Sequence, residues 1–496
     1  MRKTKLAKLV LALVLALLVA FGVVGTAAMA VPTDTTALRN AVTVDGIMKH
    51  ESAFQDIANS NGGTRVSGTP GYDASAAYVK NQLKAAGYNV TVQEFTYPFF
   101  QELTDTTFSR TAPPPEEPYT RGEDFNIMGY SGSGTVVNAP VVPTKEGIVI
   151  PPNPTPKSTS GCELNDFVDV NSVTEPQVAL IQRGGCLFRP KALNAQAAGY
   201  DAAIIFNEGQ PGRTELIGGG LGGLGVDIPV LMTTFAVGEE LYTLDKEPGG
   251  AQVSISADTI AEERTTSNVI ADYPGGRTDR TLIVGAHLDS VPVGPGINDN
   301  GSGVAGILEI ALQMRKLHIK PTNHVRFAFW GAEESSPPQW GSQAYLEELS
   351  KAQRKDIARY LNFDMIGSPN FVRFVYDGDG PTLPLGRPAP EGSKEIEKVF
   401  LDYFASQNLA TEPIPFDGRS DYQSFFDEGI PAGGAISGAE GIKTPEQAAI
   451  YGGTAEEPYD SCYHQACDTI NNLNKTSIEQ LADGAAHATL TLAQTP

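Results

Sequence analysis

From Arg264 onward, short apolar runs alternate with longer amphipathic stretches. Thr281–Ala286, His324–Trp330 and Tyr360–Ile366 read as buried strands. Ser302–Leu317 reads as a helix with Val304, Ile307, Leu308, Ala311 and Leu312 on one face. This alternation predicts an α/β fold, with a mixed, largely parallel central sheet flanked by helices. Such sheets bind ligands outside the carboxyl ends of their strands. The residues that follow each strand therefore carry the functional information.

Those residues are rich in metal donors. The first strand ends in His287-Leu288-Asp289, the second in Gly331-Ala332-Glu333-Glu334, and the third carries Asn362-Phe363-Asp364. Between the first strand and its helix lies Gly294-Pro295-Gly296-Ile297-Asn298-Asp299-Asn300-Gly301-Ser302. Its glycines let the backbone bend and return Asp299 over the strand ends. Each residue alone has an ordinary explanation: a structural histidine, a turn aspartate, a solvated glutamate pair. Together they place imidazole and carboxylate groups, both zinc donors, along one sheet edge.

The rest of the chain is organised around this region. Its 496 residues exceed one ordinary core, so a second domain or a large insert is expected. Thr36–Ile57 and Tyr72–Ala86 read as helices and Asn89–Tyr97 as a strand. Ala112-Pro113-Pro114-Pro115-Glu116-Glu117-Pro118 resembles a linker. Beyond it, Gly134–Val142, Val178–Arg183, Ala202–Asn207 and Ile228–Thr234 form their own set of short strands, with a helical stretch at Lys191–Ala198. The expected domains are thus 31–110, a smaller β-rich α/β insert at 111–261, and 262–496.

Residues 1–30 have the features of a secretory signal peptide. Arg2, Lys3, Lys5 and Lys8 precede an apolar run from Leu9 to Gly25, and Ala28-Met29-Ala30 offers a cleavage site. The alternative is an uncleaved membrane anchor. The formal net charge of −22, made more negative by loss of that leader, excludes nucleic acid and anionic membranes as partners. Export permits disulfides. The four cysteines allow three pairings, of which the local one, Cys162 with Cys186 and Cys462 with Cys467, is simplest. A cysteine-rich zinc site is the rival reading.

Five segments occur in order: Ala286-His287-Leu288-Asp289-Ser290, Gly296–Gly303, Phe329–Glu334, Leu361–Gly367 and Cys462-Tyr463-His464. Together they resemble the co-catalytic dizinc metallo-exopeptidases, the family of aminopeptidase Y and the secreted bacterial leucyl aminopeptidases. The likeness extends upstream to Gly68-Thr69-Pro70-Gly71-Tyr72. The insert resembles a protease-associated (PA) domain through Val178–Cys186 and Gly199–Ile205.

The resemblance implies two Zn²⁺ per chain and a residue-by-residue site. His287 and Asp364 would hold one ion, Glu334 and His464 the other, and Asp299 would bridge both. Three carboxylates and a metal-bridging hydroxide would neutralise the pair. Asp289 would orient the His287 ring. Glu333 would be the general base, and Tyr463 would donate to the oxyanion. Glu333 and Glu334 would face opposite sides, as adjacent residues in extended backbone do. Arg419, in Gly418–Phe425, is a substrate-binding candidate; its ordinary alternative is a surface pair with Asp421. A cis Asp299–Asn300 bond is a further implication. The implied activity is removal of N-terminal residues from peptides, with large apolar residues preferred. Alternatives are a dizinc carboxypeptidase on the same scaffold, a glutaminyl cyclase-like acyltransferase, or a binding protein without metals. Oligomeric state is left open.

Overall fold

The computed structural model describes residues 33–151, 158–216, 218–335, 338–380 and 387–495. The leader at 1–30 lies outside them. Thr35 onward forms one unit.

The strands in chain order are β1 Asn89–Ala112, β2 Glu117–Pro118, β3 Phe125–Ile127, β4 Gly134–Pro143, β5 Val178–Gln182, β6 Ala202–Phe206, β7 Val230–Thr233, β8 Gln252–Asp272, β9 Arg277–His287, β10 Asn323–Trp330, β11 Ile357–Phe363, β12 Phe374–Tyr376, β13 Glu412–Ile414 and β14 Ala432–Ile436. They join into a sheet of spatial order β13-β12-β14-β11-β9-β10-β8-β4-β5-β6-β7-β3, with β1 alongside β8. β14, β11, β9 and β10 are mutually parallel, as are β4 to β7. The fold is therefore the mixed, largely parallel α/β sheet expected from the alternation.

β1 and β8 tie the two lobes together. They pair antiparallel from Asn89↔Asp272 to Ala112↔Gln252. One end of β8 pairs with β10 through Arg326↔Asp272, and the other pairs with β4 through Gly134↔Ala257. Backbone hydrogen bonding thus runs unbroken from one lobe to the other. Here the structure departs from the sequence reading in two places. The strand expected to end at Tyr97 continues to Ala112. The proline-rich segment is a turn rather than a linker, because Glu117 and Pro118 pair back onto Arg110 and Ser109.

β9 is buried on both faces, as a central parallel strand must be. Leu282, Val284 and Ala286 enter a core shared with Ile307, Leu308 and Ala311 of the helix Gly303–Lys316 and with Leu481 and Ala485 of the helix Lys475–Gln494. Ile283 faces the other side, among Trp330, Tyr345, Tyr360 and Phe425. Burial of each such aliphatic side chain contributes about 1.5–3 kcal/mol. The expected helix Thr36–Ile57 is two helices, Thr36–Ala41 and Val44–Ser60. The break falls at Thr43, whose hydroxyl accepts from the Gly46 N–H and caps the second helix. Because β9, β10 and β11 are parallel and in near register, His287, the turn after Trp330 and the residue after Phe363 reach the same edge.

Candidate metal centre

The loop after β9 is the least regular part of this edge and the most constrained. Gly296 has φ +61°, and a Cβ there would stand 2.3 Å from the Asp299 carbonyl oxygen. Only glycine permits this tight return. Ile297–Ser302 then forms a buried, distorted helical turn with a cis Asp299–Asn300 bond. Its polar side chains fasten it to the chain after β11. The Asn300 amide donates to the Phe363 carbonyl at 2.9 Å, and its oxygen accepts from the N–H groups of Gly303 and Met365. Asn298 accepts from Gly367 N–H, and Ser302 Oγ accepts from Ile366 N–H. On the opposite side the Asp468 carboxylate accepts the backbone N–H groups of both Asn298 and Asp299, at 2.8 and 3.0 Å. Asp299 is thus held from two directions.

The carboxylate of Asp299 reaches two histidines at once. Its Oδ1 lies 3.3 Å from His287 Nε2, and its Oδ2 lies 3.2 Å from His464 Nε2. His287 Nε2 is also 3.3 Å from Asp364 Oδ1, and His464 Nε2 is 3.1 Å from Glu334 Oε2. The donors fall into two overlapping sets, His287–Asp299–Asp364 and Asp299–Glu334–His464, with Asp299 common to both. Ligand atoms 2.0–2.1 Å from a tetrahedral ion are separated by about 3.3 Å, which is the spacing here. Glu334 Oε1 is buried and without a hydrogen-bond partner, an orphaned atom that a cation would satisfy. The residues therefore fit a pair of zinc ions.

Each ligand is supported from behind. His287 Nδ1 is 3.2 Å from the Asp289 backbone carbonyl. A carbonyl can only accept, so Nδ1 carries the proton and Nε2 keeps its lone pair for the centre. The Asp289 carboxylate was expected to orient this ring. It stands 3.6 Å from Nδ1 and instead accepts the N–H groups of Glu333 and Glu334, both at 3.2 Å. Asp364 Oδ2 accepts from Ser420 Oγ at 2.7 Å, which in turn accepts from the Asn362 amide at 2.8 Å. Arg65, fully buried, donates to the carbonyls of Leu288, Pro295 and Gly296 beneath the loop.

The two glutamates do not separate in the way the strand rule implied. They lie in a turn beyond β10, entered through Ala332 at φ +54°, and both line the same cavity. Glu334 points to His464, while Glu333 Oε1 accepts from the Gln339 amide at 3.2 Å. Burial pushes the Glu333 carboxyl well above its ordinary range. Burial, together with the nearby Asp299 charge, raises Glu334 to about 7. Burial disfavours a charged His464 ring, yet its bonds to Asp299 and Glu334 hold it up to about 11. The cluster thus favours positive charge at its middle.

Tyr463 stacks on His464 with ring centroids 3.8 Å apart. Its hydroxyl accepts from Arg419 at 3.0 Å, which leaves its own proton free to donate into the cavity. Arg419 pairs with Glu440 at 2.7 and 3.1 Å. Asp421, the partner weighed from sequence, is buried instead. Cys462–Cys467 closes the loop that bears Tyr463 and His464, and Cys162–Cys186 lies in the other lobe. The cavity, about 290 Å³, runs from the donor cluster into an apolar recess formed by Met365, Phe374, Tyr376, Ile414, Ile436 and Tyr459. Ser420, Gln339 and Asp468 were not read from sequence. Ser420 stood in a segment already singled out; the other two offer no local pattern.

Comparison with known proteins agrees with this geometry. The Peptidase family M28 model matches residues 268–489, and the PA domain model matches residues 137–241. The chain is 41% identical to an aminopeptidase of Pseudomonas aeruginosa over 91% of its own length and 81% of the relative's. It is 36% identical to leucine aminopeptidase 2 of Trichophyton equinum, over 89% and 82% respectively. Among solved structures it is similar to an aminopeptidase from Aneurinibacillus sp. strain AM-1, with TM-score 0.67 and 24% identity over 93% of this chain and 97% of that one. It is also similar to a zinc aminopeptidase from Bacillus subtilis, with TM-score 0.56 and 23% identity over 90% and 94%. Fold and site define a metallopeptidase with a PA domain. The chain belongs to peptidase family M28.

Proposed function

We propose that this chain is a secreted aminopeptidase that holds two zinc ions and releases large apolar residues from the N-termini of peptides. It is a zinc aminopeptidase by the family it belongs to and by the relatives named above. The carrying observation for a pair of ions is the Asp299 carboxylate, whose two oxygens face different histidines. In this reading His287 and Asp364 hold one ion, Glu334 and His464 the other, and Asp299 bridges them. When bound, the metal supplies polarisation of the scissile carbonyl and acidification of the attacking water.

The remaining steps belong to side chains. Glu333 is buried beside the cluster and, held by Gln339, accepts the water's proton and passes it to the leaving amine. Tyr463, its oxygen already accepting from Arg419, donates its proton to the oxyanion. The apolar recess takes the side chain of the first residue. Asp417 and Glu440, also in the lining, suit the free ammonium group. Among the described lining residues Arg419 is the one lysine or arginine, and Glu440 engages it. That arrangement disfavours a C-terminal carboxylate and supports the aminopeptidase over the carboxypeptidase reading. Export rests on the leader-like residues 1–30 and two disulfides, and the insert is read as 111–261. Among the described residues no helix is long and apolar enough to cross a membrane.

The test compares leucinamide with N-acetyl-leucinamide, before and after chelation and with zinc restored. Cleavage of the free amine alone, lost on chelation and recovered with zinc, is expected. Cleavage of the blocked substrate, or activity that survives complete demetallation, would sink the reading.

A further inference from the structure

A second cavity, about 40 Å³, lies on another side of Glu334. Glu334 lines both cavities, so the second begins where the donor cluster ends. Asp289, Ser290 and Ser335 form one wall, and Tyr97, Phe99 and Phe100 of β1 form the other. The aromatic wall is fixed. Tyr97 Oη donates to the Ser67 carbonyl at 2.7 Å, and Ala332 N–H donates to Ser67 Oγ at 2.7 Å. The Arg264 guanidinium lies 3.4 Å over the Phe99 ring. Phe100 belongs to both lobes: it lines this cavity, and it packs against the core of the PA lobe with its ring 5.9 Å from Tyr130.

An extended peptide places successive Cα atoms about 3.8 Å apart and sends successive side chains to opposite sides. With the first side chain in the apolar recess, the second is directed away from it. We infer that the small cavity receives the side chain of the residue after the scissile bond, and that the β1–β8 stem of the PA lobe sets its size. A water needs about 10–15 Å³ of such space, so this one admits a methyl or hydroxymethyl group but no aromatic ring. The carboxylates of Asp289 and Glu334 in its wall oppose an acidic side chain. The substrate class is therefore a peptide with a small, uncharged second residue. This inference rests on the aminopeptidase reading.

The experiment measures kcat/KM of the zinc-loaded, full-length enzyme on Leu-Ala-amide and Leu-Phe-amide, each relative to leucinamide. The wild type should favour alanine over phenylalanine by about tenfold or more, the scale at which a pocket rejects excess volume. Phe100→Ala, with Phe99→Leu as a second variant, should lower that preference about fivefold. Each variant is read as a ratio of its own rates, so a loss common to all substrates cancels. A wild type indifferent to the second residue would overturn the inference without any variant. So would a preference unchanged in both variants while leucinamide is still cleaved. A zinc-loaded wild type inert toward leucinamide would overturn the aminopeptidase reading, and this inference with it.

Discussion

Asp299 works only because neighbouring polar residues give up their solvent exposure to hold it. Asn298, Asn300, Ser302 and Asp468 are all buried, and each bonds to backbone of the loop or of the chain facing it. Glu333 has a different task, since it is tied to Gln339 and not to either histidine. Glu333→Ala should therefore retain zinc but lose about 10²-fold or more in kcat. Near-normal turnover in that variant would place the base elsewhere. His464 contacts Asp299 and Glu334 but lies in only one of the two overlapping donor sets. His464→Ala should lower the zinc content from two ions per chain to one, as measured by metal analysis after dialysis. Equal loss of both, or of neither, would contradict the allocation. The donors themselves were legible in sequence because each follows a strand. Their supports were not: Gln339 and Asp468 act through bonds that join distant parts of the chain, which no spacing rule encodes.

At the scale of elements, the periodic segments were legible and the irregular ones were not. β9, β10 and the helix Gly303–Lys316 carry clear apolar patterns. β1 was traced only to Tyr97, because Pro98 lacks an N–H and interrupts the alternation. Its pairing with β8 carries the strand through that point. The C-terminal helix Lys475–Gln494 has an electrostatic signature of its own. His487 on this helix stacks on Tyr403 at 4.7 Å and lies 2.9 Å from Thr35 Oγ1. Burial first, and then the Arg39 charge, lowers it to about 4. Its ordinary value is about 6.5, so the unfolded chain binds this proton more readily. The resulting stability is complete above about pH 6.5 and is lost as pH falls toward 4. Thermal midpoints at pH 7 and pH 5 should drop less in His487→Gln than in the wild type. An identical drop would show that this histidine contributes nothing to the acid limb.

At the scale of the molecule, one hydrogen-bonded sheet serves two lobes. The catalytic lobe uses its parallel strand ends as the floor of the site, and the β1–β8 ribbon carries the same sheet into the PA lobe. The ribbon passes close to Glu334 through Tyr97, Phe99 and Phe100. An insert that enters the sequence as a separate block is therefore continuous with the wall of the active site. Sequence patterning delimits the insert by composition but not by contact, since the residues that unite the lobes lie in extended strands on either side of it. Everything in this account depends on the five donors meeting around two cations. Anomalous diffraction at the zinc edge from zinc-loaded crystals tests it most directly. The account predicts two peaks, one within bonding distance of His287 and Asp364 and the other of Glu334 and His464, with Asp299 touching both. A single peak, or two peaks without Asp299 between them, would contradict it.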